Sequence, residues 1–305
     1  MTGAVWAAAS GIGFGAFQTV NRRAVARMDV VVATVLQLAV ALAVLLALVA
    51  ATGNRDRVGS LPAAAAGWFV LGGLAHFLVG WTVLNTSQQR IGAARTSALI
   101  STVPLFGAAV AAVTLGELPS GASWVGIALI TLGAYVVAVE RIVRGAGGPG
   151  SWRDSAFGLA CAVAWAVSPV FTRKGLDAFD APLLGVTLGL AASLAGYGLA
   201  LVLGLRRRWA ARSPRTGDVG VHIHHALTLK LTAGVLVALS TWGRWVALER
   251  TAVGTVLALG LLSVPVVLLL SPVVMGRDIE RVNLWIWLGA ALVVGGSLLL
   301  VAKGR

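Results

Sequence analysis

Long apolar runs separated by short polar stretches make up most of the chain. A helix needs about 20 mostly apolar residues to cross a hydrocarbon core about 30 Å thick, and ten runs approach or exceed that length. Main-chain amides inside a bilayer must be paired within their own segment, so these runs are predicted to be helices. The predicted spans, numbered 1 to 10, cover residues 4–20, 30–51, 62–84, 93–115, 121–139, 155–171, 181–205, 227–248, 253–275 and 283–301.

Several stretches of the first half recur in the second half. RRAVARMD, which begins at Arg22, is followed 151 residues later by RKGLDAFD. Pro104 and Glu117 are each followed 161 residues later by a counterpart, Pro265 and Asp278. Five spans in each half place the two halves in opposite orientations, as in the inverted repeats of transporters. The sequence therefore predicts ten transmembrane helices in two inverted five-helix repeats, at 1–140 and 154–305, joined by a linker at 141–153.

The composition supports a membrane protein. Hydrophobic residues make up 58% of the chain and charged residues 11%, whereas ordinary globular domains carry about 25% charged residues. The 24 Lys and Arg outnumber the 11 Asp and Glu, but they fall mainly between the apolar runs, as the loop charges of membrane proteins do. We therefore expect no nucleic-acid partner. The single cysteine, Cys161, lies in an apolar run and is expected to be a packing residue.

A segment from Gly92, GAARTSALISTVPLFGAAVAAVTLGELPSGASWVGIALITLGAYVV, joins a proline-containing span to an acidic turn and a further span. A second copy begins at Gly254 and has Arg277 and Asp278 in place of the first copy's Gly-Glu. Together with the ten spans, these copies resemble EamA-type permeases of the drug/metabolite transporter superfamily over nearly the whole chain. The resemblance implies a multi-pass carrier for small metabolites in the plasma membrane, working by alternating access.

The sequence leaves open on which side of the membrane the termini lie. Sixteen of the 24 Lys and Arg residues lie in or near the connections after spans 1, 3, 5, 7 and 9. Positively charged loops favour the cytoplasm, so this count places both termini outside. The family resemblance implies the opposite orientation, with both termini in the cytoplasm.

Two side chains inside predicted spans are the main candidates for substrate binding. His76 lies near the middle of span 3, and because imidazole titrates near neutral pH it could bind substrate or a coupling proton. The alternative is a neutral ring bonded to a carbonyl of a neighbouring helix. Arg244, in span 8, could pair with an anionic group or extend along the helix to the nearby membrane surface. Spans 3 and 8 are equivalent in the repeat, which predicts that both residues face one central cavity.

Other residues inside the spans are expected to line the same cavity. Polar side chains are costly in a bilayer unless they face a cavity or one another, and a proline frees a main-chain carbonyl about one turn earlier. For each hydroxyl group the alternative is a bond to its own helix. Besides His76 and Arg244, the predicted substrate-binding residues are Gln18, Asn21, Gln37, Trp81, Ser101, Thr102, Pro104, Ser168, Trp242, Trp245, Ser263 and Pro265.

These candidates favour transport of small polar metabolites such as amino acids or organic acids. No Asp or Glu lies in the middle of a span, which disfavours a carrier for lipophilic cations. We predict a secondary active transporter, with export as the favoured direction and protons as a candidate coupling ion. We expect a monomer or homodimer without enzymatic activity or a cofactor. We also expect no metal site, since the HIHH segment at 222–225 has no Cys or carboxylate at ligand spacing.

Two other classes of protein remain as alternatives. A membrane-embedded enzyme would need a nucleophile with a base, or a metal cluster, within the spans. A sensor would normally carry a soluble output domain.

Overall fold

The computed structural model describes residues 2–25, 30–143, 152–203, 223–275 and 283–303. These residues form helices joined by short connections, with no strand among them, which confirms the predicted all-α fold. The α-helices are α1 (Gly3–Val25), α2 (Val30–Ala51), α3 (Ala63–Gly73), α4 (Trp81–Ile100), α5 (Val103–Leu115), α6 (Gly121–Arg141), α7 (Trp152–Ala178), α8 (Pro182–Val202), α9 (Ile223–Arg250), α10 (Val253–Gly260), α11 (Ser263–Met275) and α12 (Leu284–Lys303).

Within the described part of the chain, nine helical stretches are long and apolar enough to cross a membrane. They coincide with predicted spans 2 to 10, so the protein is a multi-pass membrane protein. Span 1 is also helical, as α1, but does not reach the same apolar content. The tenth crossing and the inverted relation of the two halves therefore stay predictions.

Helix α1 compensates for its low apolar content by packing inside the protein. It runs antiparallel to α9, and the Ser10 hydroxyl donates to the Ser240 carbonyl at 2.7 Å. A Cβ on Gly11 would lie 2.3 Å from the Leu259 carbonyl oxygen, so only glycine fits between α1 and α10. Protein neighbours rather than lipid therefore surround much of this helix.

Predicted spans 4 and 9 are each interrupted at an equivalent place. α4 and α5 are separated by a turn at residues 101–102, and α10 and α11 by a turn at residues 261–262. Each turn comes shortly before a proline, Pro104 in one half and Pro265 in the other, which agrees with the kinks predicted from sequence. Helices interrupted in corresponding positions of two halves are typical of transporter binding regions.

The chain reverses direction between spans 3 and 4 although α4 is helical throughout. The hydroxyl oxygens of Ser87 and Thr96 lie 2.8 Å apart, whereas residues nine apart in a straight α-helix are separated by about 13.5 Å along the axis. α4 is therefore sharply bent, and spans 3 and 4 form a hairpin.

The two helices that correspond to predicted spans 5 and 10, α6 and α12, pack closely against each other. A Cβ on Gly133 would lie 2.4 Å from the Gly289 carbonyl oxygen, and a Cβ on Gly296 would lie 2.8 Å from that of Gly126. Two glycine contacts along one antiparallel pair allow the backbones to approach directly. Neither helix lines the cavity described below.

Some predicted features lie outside the described residues. These are most of the linker at 141–153, with Asp29, His222, Arg277 and Asp278. The side chains of Arg22, Arg23, His224 and His225 are likewise not described.

Candidate functional site

His76 lies in a widened turn between α3 and α4, where residues Leu74–Gly80 are π-helical. Such turns disturb the regular main-chain ladder and occur frequently at functional sites. The Trp165 indole donates to the His76 carbonyl at 3.2 Å. The Tyr197 hydroxyl lies 3.3 Å and 3.4 Å from the carbonyl oxygens of Phe77 and Leu78. Two side chains of the second half therefore lie within hydrogen-bond distance of three successive carbonyls in this turn.

The imidazole of His76 is held by α7. Its ring stacks on Trp165, with centroids 5.4 Å apart and an interplanar angle of 22°. Its Nδ1 lies 3.3 Å from the Ser168 hydroxyl. His76 is 8% exposed, so its orientation is fixed by these neighbours.

A small cavity lies where the π-helical turn, α7 and α9 meet. Its volume is about 10 Å³, which is room for about one water molecule. The cavity is therefore too small for a metabolite. The residues lining it are His76, Ser168, Pro169, Thr172, Thr241, Arg244, Trp245 and Leu248.

Arg244 is the permanent positive charge in this cavity. It lies six residues before Arg250, where the candidate span ends, so it is about 9 Å inside the helix end. Its side chain lines the cavity together with His76, rather than extending along the lipid-facing surface. No hydrogen bond or ion pair joins the Arg244 guanidinium to another described residue.

The main chain is tightly packed just before His76. A Cβ on Gly73 would lie 2.2 Å from the Gly189 Cα and 2.3 Å from the Gly189 carbonyl oxygen. α3, from the first half, and α8, from the second, therefore touch backbone to backbone one turn away from the imidazole.

The predicted tryptophans occupy different places. Trp245 lines the cavity and packs on Phe69 with ring centroids 5.7 Å apart. Trp81 is buried and stacks on Phe17, and Trp242 packs against Trp6 of α1. Trp245 therefore faces the cavity, whereas Trp81 and Trp242 contribute to helix packing around it.

The predicted hydroxyls and prolines also fall into two groups, one at the cavity and one away from it. Ser168 bonds to His76 in the cavity, whereas Ser101 and Thr102 donate to carbonyls three residues earlier in their own helix. These two follow the alternative of back-bonding. Three further predicted residues, Pro104, Ser263 and Pro265, are buried at the two helix interruptions, away from the cavity lining.

The predicted Asn21 and Gln37 belong to a second polar cluster. The ammonium of Lys230, on α9, donates to Asn21 Oδ1 and to Gln37 Oε1, the latter at 2.8 Å. Lys230 is 1% exposed. Gln18, one turn before Asn21 on α1, is half-buried.

A third polar cluster lies at the end of the bundle opposite to Lys230. Arg173 Nε lies 3.6 Å from Glu117 Oε1 and 3.2 Å from Asp177 Oδ1. The Arg173 guanidinium also donates to the Leu248 carbonyl, and Glu117 Oε2 accepts from the Val253 amide at 2.8 Å. These bonds join the ends of α5, α7 and α9 to the start of α10.

Sequence reasoning did not identify Lys230, Trp165 or Tyr197. Lys230 was counted with the loop charges because it lies near a span boundary. A signal was nevertheless present, since Lys230 is a lone charge in an apolar run, almost four helical turns before Arg244. The roles of Trp165 and Tyr197 depend on the π-helical turn, which no pattern in the sequence indicates.

No group of three or more His, Cys, Asp or Glu side chains within the described ranges is placed to hold a metal ion.

Residues 1–139 of the chain match the EamA-like transporter family, which confirms the resemblance over this first part of the chain. The chain is similar to a protein of known crystal structure, with a TM-score of 0.68 and 22% sequence identity. The similarity covers 96% of this chain and 96% of that protein's chain. A likeness at that identity shows the fold alone. No curated protein matches the chain at a significant level.

Proposed function

We propose that this EamA-like membrane transporter of the drug/metabolite type is a secondary active carrier for small polar metabolites with an anionic group, such as amino acids or organic acids. The observation that carries the proposal is Arg244, a guanidinium that lines a cavity inside the helix bundle without a hydrogen bond or ion pair to another described residue. The opposite charge is supplied by the substrate in this proposal.

The physical basis is the cost of a lone charge in a low-dielectric environment. Charged residues within a membrane span are retained mainly where they pair with a partner or serve a pathway. A guanidinium presents several N–H donors in a plane that matches the two oxygens of a carboxylate. Each charge-assisted hydrogen bond contributes about 1.5–3 kcal/mol, enough to select an anion over a neutral analogue by tenfold or more.

The shape of the site supports alternating access. The cavity is walled by His76 from the first half and by α7 and α9 from the second. Because it now has room for about one water molecule, the walls must separate to admit a substrate. Movement of one half against the other is how repeat-built carriers expose a fixed site to each side in turn.

We further propose that protons are the coupling ion, that the protein lies in the plasma membrane and that export is the physiological direction. His76 lines the cavity beside Arg244, and an imidazole can bind and release a proton. A pH gradient imposed across proteoliposomes should drive accumulation of the substrate if this coupling exists.

The test is uptake of a radiolabelled panel of carboxylic acids, amino acids and neutral or cationic metabolites into proteoliposomes. Arg244→Gln should lower uptake of the transported anion by about tenfold or more, because at least one charged hydrogen bond to the anion is lost. Arg250→Gln is the matched control on α9, because Arg250 is exposed and pairs with neighbouring Glu249.

The outcomes separate the alternatives clearly. Uptake restricted to cationic or neutral compounds would overturn the anion assignment. Uptake of no panel member would count against transport of these metabolite classes, and equal rates for Arg244→Gln and wild type would show that Arg244 is structural.

A further inference from the structure

The cluster around Lys230 is a second place inside the bundle where a positive charge has no acidic partner among the residues that the structure describes. Lys230 is 1% exposed, and its two hydrogen-bond partners among the described residues are the amide oxygens of Asn21 and Gln37. Amide oxygens orient an ammonium but do not neutralise it. An ammonium has three N–H donors, and these two bonds use two of them.

Lys230 and Arg244 lie on the same side of α9. They are 14 residues apart, which is close to four full turns and about 21 Å along the axis. Thr241 and Arg244 on this side of the helix line the cavity, and Gly234 lies against α2 near Gln37. One face of α9 therefore carries two cations, the half-buried Arg244 at the cavity and the buried Lys230 toward the opposite end of the bundle.

The chemistry of the cluster suits a carboxylate or phosphate group. Asn21 and Gln37 each have an NH₂ group as well as a carbonyl oxygen. If an anionic group took the place of the amide oxygens at Lys230 Nζ, rotation of the two amides would turn their NH₂ groups toward it. The same three side chains would then supply only donors, together with one positive charge.

We infer that Lys230, Asn21 and Gln37 form a second binding site for the anionic group of the transported substrate, on the path from Arg244 to the far end of the bundle. The inference rests on the proposed function, since it assumes an anionic substrate. In the present conformation the amides fill the site, so the anion binds after α1 and α2 separate from α9.

The first experiment uses pyridoxal 5′-phosphate, an anion whose aldehyde condenses with an amine and releases water. Borohydride then reduces the imine to a stable adduct. The chain has three lysines, Lys174, Lys230 and Lys303, so peptide mass spectrometry can assign each adduct. Labelling of Lys230 in proteoliposomes should occur from one side of the membrane and fall at least fivefold in the presence of the transported anion. Absence of a Lys230 adduct, or labelling unaffected by a saturating anion, would overturn the site.

The second experiment separates binding from a purely structural role. Lys230→Met should raise the KM for the anion about tenfold, consistent with loss of one charged hydrogen bond, whereas Lys230→Arg should change it by less than about threefold. Lys174→Met is the matched control, because Lys174 lies over the Trp68 ring, 5.0 Å from its centroid. Lower melting temperatures with an unchanged KM would show that Lys230 only joins helices.

Failure of this site can be distinguished from failure of the proposed function. Anion transport that depends on Arg244 but not on Lys230 would overturn the second site alone. Absence of anion transport by the wild-type protein would overturn both.

Discussion

Substitution of Gly73 by alanine should destabilise the protein through one contact between the two halves. The added Cβ would lie 2.2 Å from the Gly189 Cα and 2.4 Å from its carbonyl carbon. Both atoms belong to the main chain and cannot rotate away, so α3 and α8 must separate by at least about 1.3 Å to restore van der Waals distance. Overpacking of this kind costs about 1–3 kcal/mol. At about 2–4 °C per kcal/mol, we expect the melting temperature to fall by roughly 2–12 °C.

The control is Gly67→Ala on the same helix. A Cβ on Gly67 would meet no atom within 4 Å, and alanine is a better helix former than glycine by about 1 kcal/mol. This variant should therefore melt at or slightly above the wild-type temperature.

The chain carries its own reporter for this measurement. Cys161 is the single cysteine and is 0% exposed, so a thiol-reactive fluorescent dye should react only as the detergent-solubilised protein unfolds. If Gly73→Ala melts within about 1 °C of wild type, the close contact between α3 and α8 does not exist in the folded protein. Loss of transport without a change in melting temperature would instead place the effect at nearby His76.

Two further predictions use the same melting assay. Glu117→Ala should lower the free energy of unfolding by about 1–2 kcal/mol, because it leaves the Val253 amide at the start of α10 without its acceptor. Glu117→Gln keeps an acceptor oxygen and should cost less, and equal costs would contradict this role of Glu117. Trp165→Phe should cost about 1–3 kcal/mol, because the buried His76 carbonyl loses its indole donor. Exposed Trp285→Phe is the control, and similar losses for both tryptophans would rule out a special contribution from that bond.

The sequence predicted the helices because a bilayer imposes a length and an apolar composition that can be counted along the chain. It also identified His76 and Arg244 as candidate site residues, because a basic side chain deep in an apolar run is costly unless it faces a cavity or a partner. The structure places both at one cavity, which the equivalence of spans 3 and 8 had suggested; whether they bind substrate stays a prediction.

Other features depend on geometry that no single segment encodes. Lys230 looks like a loop charge until α1 and α2 are seen to cover it. The π-helical turn at His76 is supported by Trp165 and Tyr197, which are 89 and 119 or more residues away in sequence. Ser101 and Thr102 illustrate the converse, because a hydroxyl near a proline can bond to its own helix whether or not a cavity is nearby.

The length of α9 makes it a lever between the two ends of the bundle. It is held at Lys230 near one end and at Leu248 near the other, and these residues are about 27 Å apart along the axis. A tilt of about 5° around its middle would move each end by roughly 1.2 Å in opposite directions. A hydrogen bond of 2.8 Å stretched by that amount no longer counts as one. A movement of α9 that breaks the contacts at Lys230 therefore also displaces the contact at Leu248, so the two ends of the helix are mechanically coupled.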